Sequence, residues 1–227
     1  MGWDAEPSDA RYSPAQRVEL CADLGYRASD LLQSNAIIWV EGPSDRLYIR
    51  HWLNAVDPEL VEGVHYSLMF YGGRLLARLS ASDVEVEDFI SLRRINQWLS
   101  IVIDSDRRRS KAVINQTKKR VQAEFNVGPG HAWVTQGREI ENYIPESVLW
   151  KAILELHSNA RRLVDYEDRY ADVMTVEIDG KARELDKVKV AHHVIEQDAD
   201  LSRLDLARQV HRLASFVREA NGLDPLT

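Results

Sequence analysis

The stretch that decides the fold is Ala36-Ile-Ile-Trp-Val40, followed directly by Glu41-Gly42-Pro43-Ser44-Asp45. Five successive apolar residues have the length of a buried strand, and the glycine and proline after them end it. Ser44 is typical of a helix N-cap, and the apolar residues that follow recur with helical spacing. The stretch is therefore predicted to form a strand, a tight turn and a helix.

Three more strand–helix units follow along the chain. The predicted strands are residues 65–71, Leu99–Ile103 and residues 132–134. The first is followed by Gly72-Gly73 and a short helix, the second by a basic helix near residues 111–125, and the third by a helix after Pro145. Strands that alternate with helices indicate an α/β fold with a parallel sheet flanked by helices.

The sequence divides into three parts. Residues 1–35 are predicted to be a polar lead-in followed by a helix, and residues 36–149 the α/β core. Residues 150–227 are predicted to be mostly helical, with amphipathic helices at 187–197 and 204–221. Asp179-Gly180 has the composition of a hairpin turn within this third part.

Composition excludes several classes of protein. The chain has 227 residues, of which 44% are hydrophobic and 29% charged, so it can bury a substantial core. One cysteine, Cys21, excludes an internal disulfide framework and a CxxC zinc site. The net charge of −7 argues against a polycation that coats nucleic acid. The apolar run from Leu31 to Val40 is too short for a membrane span, so a cytoplasmic protein is expected.

Acidic residues follow three of the predicted strands. Ligands of open parallel sheets bind beyond the carboxyl ends of the strands, so these side chains are expected to converge there. Taken singly, each pair also fits a turn, a helix cap or a solvated surface pair. Together they would repel one another, and two divalent cations bound by hard oxygen ligands, Mg²⁺ or Mn²⁺, would offset that repulsion. The pairs are Glu41 with Asp45, Asp104 with Asp106, and Glu139 with Glu141.

Four segments carry a resemblance to a known family. Val40-Glu-Gly-Pro-Ser-Asp45 and Ile101-Val-Ile-Asp-Ser-Asp106 resemble the Toprim domain, which topoisomerases, primases and OLD-family nucleases share. Gly137-Arg-Glu-Ile-Glu-Asn-Tyr143 and Asp186-Lys-Val-Lys-Val-Ala191 further resemble the OLD (overcoming lysogenization defect) nucleases. The resemblance covers about residues 36–191 and implies a Toprim-like, Rossmannoid core whose site the C-terminal region completes.

The resemblance implies a DNA endonuclease that hydrolyses phosphodiester bonds with two metal ions. Glu41 and Asp45 would hold one ion, Asp104 would bridge, and Asp106 with Glu139 or Glu141 would hold the second. Glu141 matches the family pattern better than Glu139. The ions would be Mg²⁺ or Mn²⁺, with Ca²⁺ as a non-physiological or modulating occupant.

A lysine near the scissile phosphate would stabilise the transition state. Lys187 is the first candidate, with Lys189 as the alternative, although either fits an ordinary exposed lysine at a helix start. Loss of Lys187 is expected to abolish cleavage and to leave metal binding largely intact.

Basic residues follow Asp106 directly and are expected to contact DNA phosphates, with little sequence specificity. A solvated basic helix is the alternative interpretation. The residues are Arg107, Arg108, Arg109 and Lys111, joined by Lys189, with Lys118, Lys119 and Arg120 continuing the positive face.

Family members usually carry an ABC-type ATPase before the Toprim domain. This chain has no Gly-x-x-x-x-Gly-Lys-Ser/Thr motif, so the ATPase is expected in another region of a longer protein, unless the chain is a shortened relative. Two other functions stay open. One is a non-catalytic Toprim module that binds nucleic acid or a partner. The other is a haloacid-dehalogenase-type phosphohydrolase, which also places Asp-x-Asp after a strand.

Overall fold

The computed structural model describes residues 33–72 and 98–226, together with Val86, Ile90 and Asn96. The helix predicted in residues 14–33 lies almost wholly outside the described residues, and the short helix predicted after Gly73 lies outside them too. Four strands form a parallel sheet in the order β2-β1-β3-β4. They are β1 (Ala36–Val40), β2 (Tyr66–Phe70), β3 (Leu99–Ile103) and β4 (His131–Val134). The α/β prediction is confirmed.

The two faces of the sheet bury alternate residues of the strands. Ile38 and Val40 of β1 pack on one face in a core that continues into the helices of the C-terminal region. Ile37 and Trp39 pack on the other face, with Val121 of the helix that follows β3. Because both faces are covered, the strands are mostly apolar and β1 is fully buried.

Three α-helices accompany the parallel sheet of the core. They are α1 (Pro43–Val56), α2 (Gln116–Phe125) and α3 (Glu146–Leu156), with a 3-10 helix at Ile140–Tyr143. The start predicted for the basic helix is wrong. Asn115 caps α2, and its side chain accepts a hydrogen bond from the Lys118 amide at 2.8 Å, so Lys111 and the arginines before it belong to the loop after β3.

A second, antiparallel sheet lies in the C-terminal region, so the prediction of a mostly helical segment is wrong there. Its strands are β5 (Arg161–Arg162), β6 (Thr175–Ile178) and β7 (Lys181–Glu184). The predicted hairpin turn is confirmed, with Asp179 and Gly180 both at positive φ, 53° and 72°.

The two amphipathic helices predicted after this hairpin are confirmed as α4 (Lys187–Ile195) and α5 (Leu206–Ala220). Both pack on α1, and α4 also packs on α3. Helix α4 begins at Lys187, two residues after the end of the hairpin. Within the part of the chain that the structure describes, no helix has the length and apolarity needed to cross a bilayer.

Candidate functional site

The strand order creates a switch point between β1 and β3. Strand β2 lies on one side of β1 and β3 on the other, so the chain goes from β1 to β2 in one direction and returns past β1 to reach β3 in the other. Such a reversal opens a crevice at the carboxyl ends of the two strands, where parallel sheets bind ligands. Glu41 directly follows β1 and Asp104 directly follows β3, so both lie at this crevice.

Asp45 holds the turn that carries Glu41. Its Oδ2 accepts hydrogen bonds from the backbone amides of Glu41, at 2.9 Å, and of Gly42, at 3.0 Å. Its Oδ1 accepts a hydrogen bond from the Ser44 hydroxyl at 3.3 Å. Asp45 is buried, and burial raises its pKa. Asp45 therefore fixes the backbone that presents Glu41 to the crevice.

The Asp104-Ser105-Asp106 loop is tied to the loop after β4. The Ser105 amide donates to Thr135 Oγ1 at 2.8 Å, and the Ser105 hydroxyl donates to the Gly137 carbonyl at 2.5 Å. The Asp106 amide donates to the Arg138 carbonyl at 2.9 Å. These bonds hold Asp106 in a left-handed conformation, with φ of 54°, that few residues other than glycine adopt.

Asp104 is close enough to other carboxylates for their charges to act on it. Burial is the main cause that raises its pKa well above the usual range, and the charges of Asp45, Glu141 and Glu41 raise it further. Glu41 is affected in the same way, since burial and then Asp45 raise its pKa. The structure therefore brings side chains from three strand ends into one electrostatic neighbourhood, as the sequence predicted.

The segment after β4 is built to place two glutamates. A Cβ on Gly137 would lie 2.6 Å from Cβ of Asn142, so the turn fits glycine alone. Asn142 accepts a hydrogen bond from the Glu139 amide at 2.9 Å and donates one to the Ala171 carbonyl at 3.0 Å. Both bonds fix the 3-10 helix that carries Glu141.

Tyr143 fastens the far end of this 3-10 helix. Its hydroxyl accepts hydrogen bonds from the Gln136 amide at 2.8 Å and from Trp133 Nε1 at 3.2 Å. It donates one to Asp205, just before α5, at 2.7 Å. Asn142 and Tyr143 together therefore hold the 3-10 helix in place at both ends.

Lys187 joins the two glutamates of this segment. Its Nζ lies 2.8 Å from Glu139 Oε2 and 3.2 Å from Glu141 Oε2. Glu141 is fully buried, and its other oxygen, Oε1, has no hydrogen-bond partner. Burial raises the pKa of Glu141 to about 7 despite the opposing charge of Lys187. The carboxylates around Lys187 raise its own pKa above the ordinary value of 10.5.

Lys118 is the site residue that the sequence analysis placed wrongly. It was predicted on the exposed positive face of a helix, but it is buried, with 2% of its surface exposed. Its Nζ donates to the main-chain carbonyl of Asp104 at 2.7 Å and forms a short ion pair with the Asp106 carboxylate. A helical spacing could have found it, because Lys118 lies three residues before Val121 and seven before Phe125, both buried.

The other basic residues divide into two groups. Arg107 turns inward, where its guanidinium donates to the Gln136 carbonyl at 3.2 Å and lies 5.2 Å from the centre of the Tyr170 ring. Arg138, which the sequence analysis did not single out, pairs with Glu139 at 3.3 Å and with Asp172 at 3.1 Å. Of the basic residues predicted to contact DNA, those with exposed side chains are Arg108, Arg109, Lys111, Lys119 and Lys189.

The six predicted acidic residues, all of which the structure describes, surround the crevice but do not form a compact group of three carboxylates. No three of them bring their oxygens within 4.8 Å of one another. Among the described residues, that criterion is met by Glu155, His193 and Glu196, which lie apart from the crevice on α3 and at the end of α4. His193 Nδ1 lies 3.0 Å from Glu155 and 3.8 Å from Glu196, and these ion pairs account for the proximity.

The donor set at the crevice suits hard divalent cations. All its candidate ligands are carboxylate oxygens, which Mg²⁺ and Mn²⁺ prefer. Buried carboxylates are expected to be hydrogen-bonded or to coordinate an ion, and Glu141 Oε1 has no hydrogen bond. The residues therefore fit divalent cations. In comparisons with known proteins, no family model, curated protein or solved structure matches the chain.

Proposed function

We propose that this protein is a metal-dependent DNA endonuclease of the Toprim type, related to the OLD nucleases and acting in the cytoplasm. The observation that carries the proposal is the fully buried Glu141, with an unpartnered oxygen, in the same charged crevice as Asp104 and Glu41. A cluster of this kind is costly to bury, and strongly raised pKa values in a crevice are typical of functional sites.

Charge supports two cations at this crevice. The six carboxylates and the ammonium groups of Lys118 and Lys187 leave four net negative charges when all are ionised. Two divalent cations balance that charge. When bound, they would supply Lewis-acid stabilisation of the attacking and leaving oxygens of the phosphodiester. The residues that would hold them are Glu41, Asp104, Asp106, Glu139 and Glu141, with Asp45 acting mainly by fixing Glu41.

Lys187 is the group in this proposal that stabilises negative charge on the phosphate. It begins helix α4, where Asp186 caps the helix by accepting the amides of Val188 and Lys189 at 3.0 Å and 3.1 Å. The cap and the two glutamates hold Nζ in one place, so no reorganisation is needed when charge develops. The side chain is 32% exposed and so can be reached by a substrate.

The exposed basic side chains supply the DNA contacts in this proposal. Arg108, Arg109 and Lys111 lie in the loop that follows Asp106, and Lys189 lies two residues beyond Lys187 on helix α4. Such residues contact phosphates, which gives affinity that depends on salt and carries little sequence information. An ABC-type ATPase region of the full-length protein is the proposed regulatory partner.

A plasmid assay tests the proposal. Supercoiled plasmid is incubated with the protein and Mn²⁺ or Mg²⁺, with and without EDTA. We expect metal-dependent nicking that Asp104→Asn lowers by at least about 100-fold, because the carboxylate is central to the acidic cluster. Asp168→Asn, a change at an exposed aspartate, is the matched control and should leave nicking unchanged.

Other outcomes of the same assay identify the alternatives. Hydrolysis of a small phosphomonoester without plasmid nicking would favour a phosphohydrolase. DNA retention in a gel-shift experiment without either hydrolysis would favour a binding module. Nicking that EDTA and Asp104→Asn leave intact would contradict the proposed centre.

A further inference from the structure

Lys118 is buried beside an exposed carboxylate. Its side chain is 3% exposed, whereas that of its partner Asp106 is 54% exposed. Asp106 can be solvated by water without Lys118, but a buried ammonium needs a partner to remain charged. Within the described residues, Lys118 Nζ donates to the Asp106 carboxylate and to the main-chain carbonyl of Asp104. Helix α2 thus delivers a fixed positive charge directly to the Asp104-Ser105-Asp106 loop.

That positive charge occupies one of the candidate metal ligands. The ion pair takes up Oδ2 of Asp106, and the charge of Lys118 also reaches Glu41, where it acts to lower the pKa. An ammonium and a divalent cation compete for the same negative charges, since each is attracted by the carboxylates and each repels the other. Lys118 therefore stands in electrostatic competition with any cation that binds at this end of the crevice.

We propose that Lys118 is a built-in counter-ion, which neutralises Asp106 when no metal is bound and lowers the affinity of the site for divalent cations. This inference rests on the proposed function, because it assumes that divalent cations bind at the crevice. It assigns to Lys118 a positioning role through Asp106 and not a contact with substrate. A purely structural lysine and a counter-ion predict opposite signs when the charge is removed, since structural damage weakens metal binding whereas loss of a competitor strengthens it.

The size of the expected effect follows from Coulomb's law. Even with the dielectric constant of water, the repulsion between a unit charge and a divalent ion about 5 Å apart corresponds to roughly a tenfold change in affinity. The crevice is partly buried, so the effective dielectric constant is lower and the effect larger. Removal of the Lys118 charge should therefore lower the dissociation constant of the divalent cation that binds nearest to Lys118 by about tenfold or more.

The variant that tests this is Lys118→Met, which keeps most of the side-chain volume and removes the charge. Lys151→Met is the matched control, because Lys151 is an exposed lysine on helix α3 that has no part in the proposed site. Binding of Mn²⁺ is measured by isothermal titration calorimetry at constant ionic strength. We expect a dissociation constant at least about tenfold lower for Lys118→Met and unchanged for Lys151→Met. In the Asp106→Asn background, the effect of Lys118→Met should shrink.

The outcomes separate the two proposals. If the wild-type protein binds no Mn²⁺, the proposed function fails. If it binds Mn²⁺ and Lys118→Met binds it equally or more weakly, the counter-ion role is overturned while the metal site stands. Lys118→Gln provides a second neutral variant that can still donate to the Asp104 carbonyl, and circular dichroism checks folding. Loss of folding in both neutral variants would also overturn the proposal, because Lys118 would then be a structural residue.

Discussion

Replacement of Glu141 by glutamine should make the metal-free protein more stable, and increasingly so as pH rises. The carboxyl is fully buried, and burial raises its pKa from 4.5 to about 7. Between these values the folded protein keeps a proton that the unfolded chain has lost, so raising the pH across this window destabilises the fold. Above pH 7 Glu141 is ionised in both the folded and the unfolded protein, and the folded protein is destabilised by the full cost of burying the charged carboxylate. Glutamine has nearly the same shape and carries no charge to bury.

The magnitude follows from the two pKa values. Linkage between protonation and folding predicts that the free energy of unfolding of Glu141→Gln exceeds that of the wild type by an amount that grows by about 2.5 kcal/mol from pH 5 to pH 8. Lys187 adds no pH dependence in this range, because its pKa lies above 10.5 and the ammonium is charged in both states. Other groups, such as His131, whose pKa is lowered by burial to about 4, affect both proteins alike. The comparison between the variants therefore isolates Glu141.

The assay is urea denaturation followed by circular dichroism, at pH 5, 6.5 and 8 with EDTA present. Glu167→Gln, at an exposed position, is the control and should show no growing difference from wild type. Repeating the titration with Mn²⁺ should reverse the order at pH 8, since wild type gains binding energy that the variant loses. If the difference in free energy of unfolding between Glu141→Gln and wild type stays constant or shrinks as pH rises, Glu141 is not a buried acid whose ionisation destabilises the fold.

Three further predictions concern the supporting structure and the DNA surface. Gly137→Ala should lower the free energy of unfolding by about 1–3 kcal/mol through its clash with Asn142, whereas Gly42→Ala, with open space around it, should cost less than about 1 kcal/mol; equal losses in urea denaturation would contradict this. Tyr143→Phe should cost about 1–3 kcal/mol because three hydrogen bonds are lost, and an unchanged denaturation midpoint would rule out that role. The exposed cations of the loop after β3 are Arg108, Arg109 and Lys111. Neutralising all three should weaken DNA binding in fluorescence anisotropy and reduce the slope of log affinity against log salt by up to about 3. An unchanged slope would exclude them from the interface.

The parallel sheet made much of the site predictable. Apolar runs of strand length identified β1 and β3, and the end of each run identified Glu41 and Asp104. Since parallel strands bring their carboxyl ends to one edge, the convergence of these residues was expected from the predicted parallel pairing. The segment after β4 was expected at the same edge, and the choice of Glu141 over Glu139 came from the family resemblance.

Tertiary contacts decided what the sequence did not predict. Lys111 was assigned to a helix because the capping role of Asn115 depends on a backbone conformation that the sequence alone does not reveal. Lys118 was assigned to the surface because charged residues are seldom buried, and its burial depends on two partners in a loop that is distant in sequence. Of the second sheet, the sequence predicted the hairpin turn but not the three-stranded arrangement, because strand β7 is exposed at every position and shows no apolar alternation.

Helix α4 gives the candidate site a positive charge that the parallel sheet does not supply. Lys187 is separated by 48 residues from Glu139 and by 46 from Glu141, with a helix and the antiparallel hairpin between them. A shortened protein ending at residue 149 would retain the acidic side chains and the sheet but would lack their bound ammonium. A minimal fragment that keeps the candidate site intact should therefore retain the chain through α4, and grafting the acidic edge onto another scaffold would require an equivalent lysine from outside the sheet.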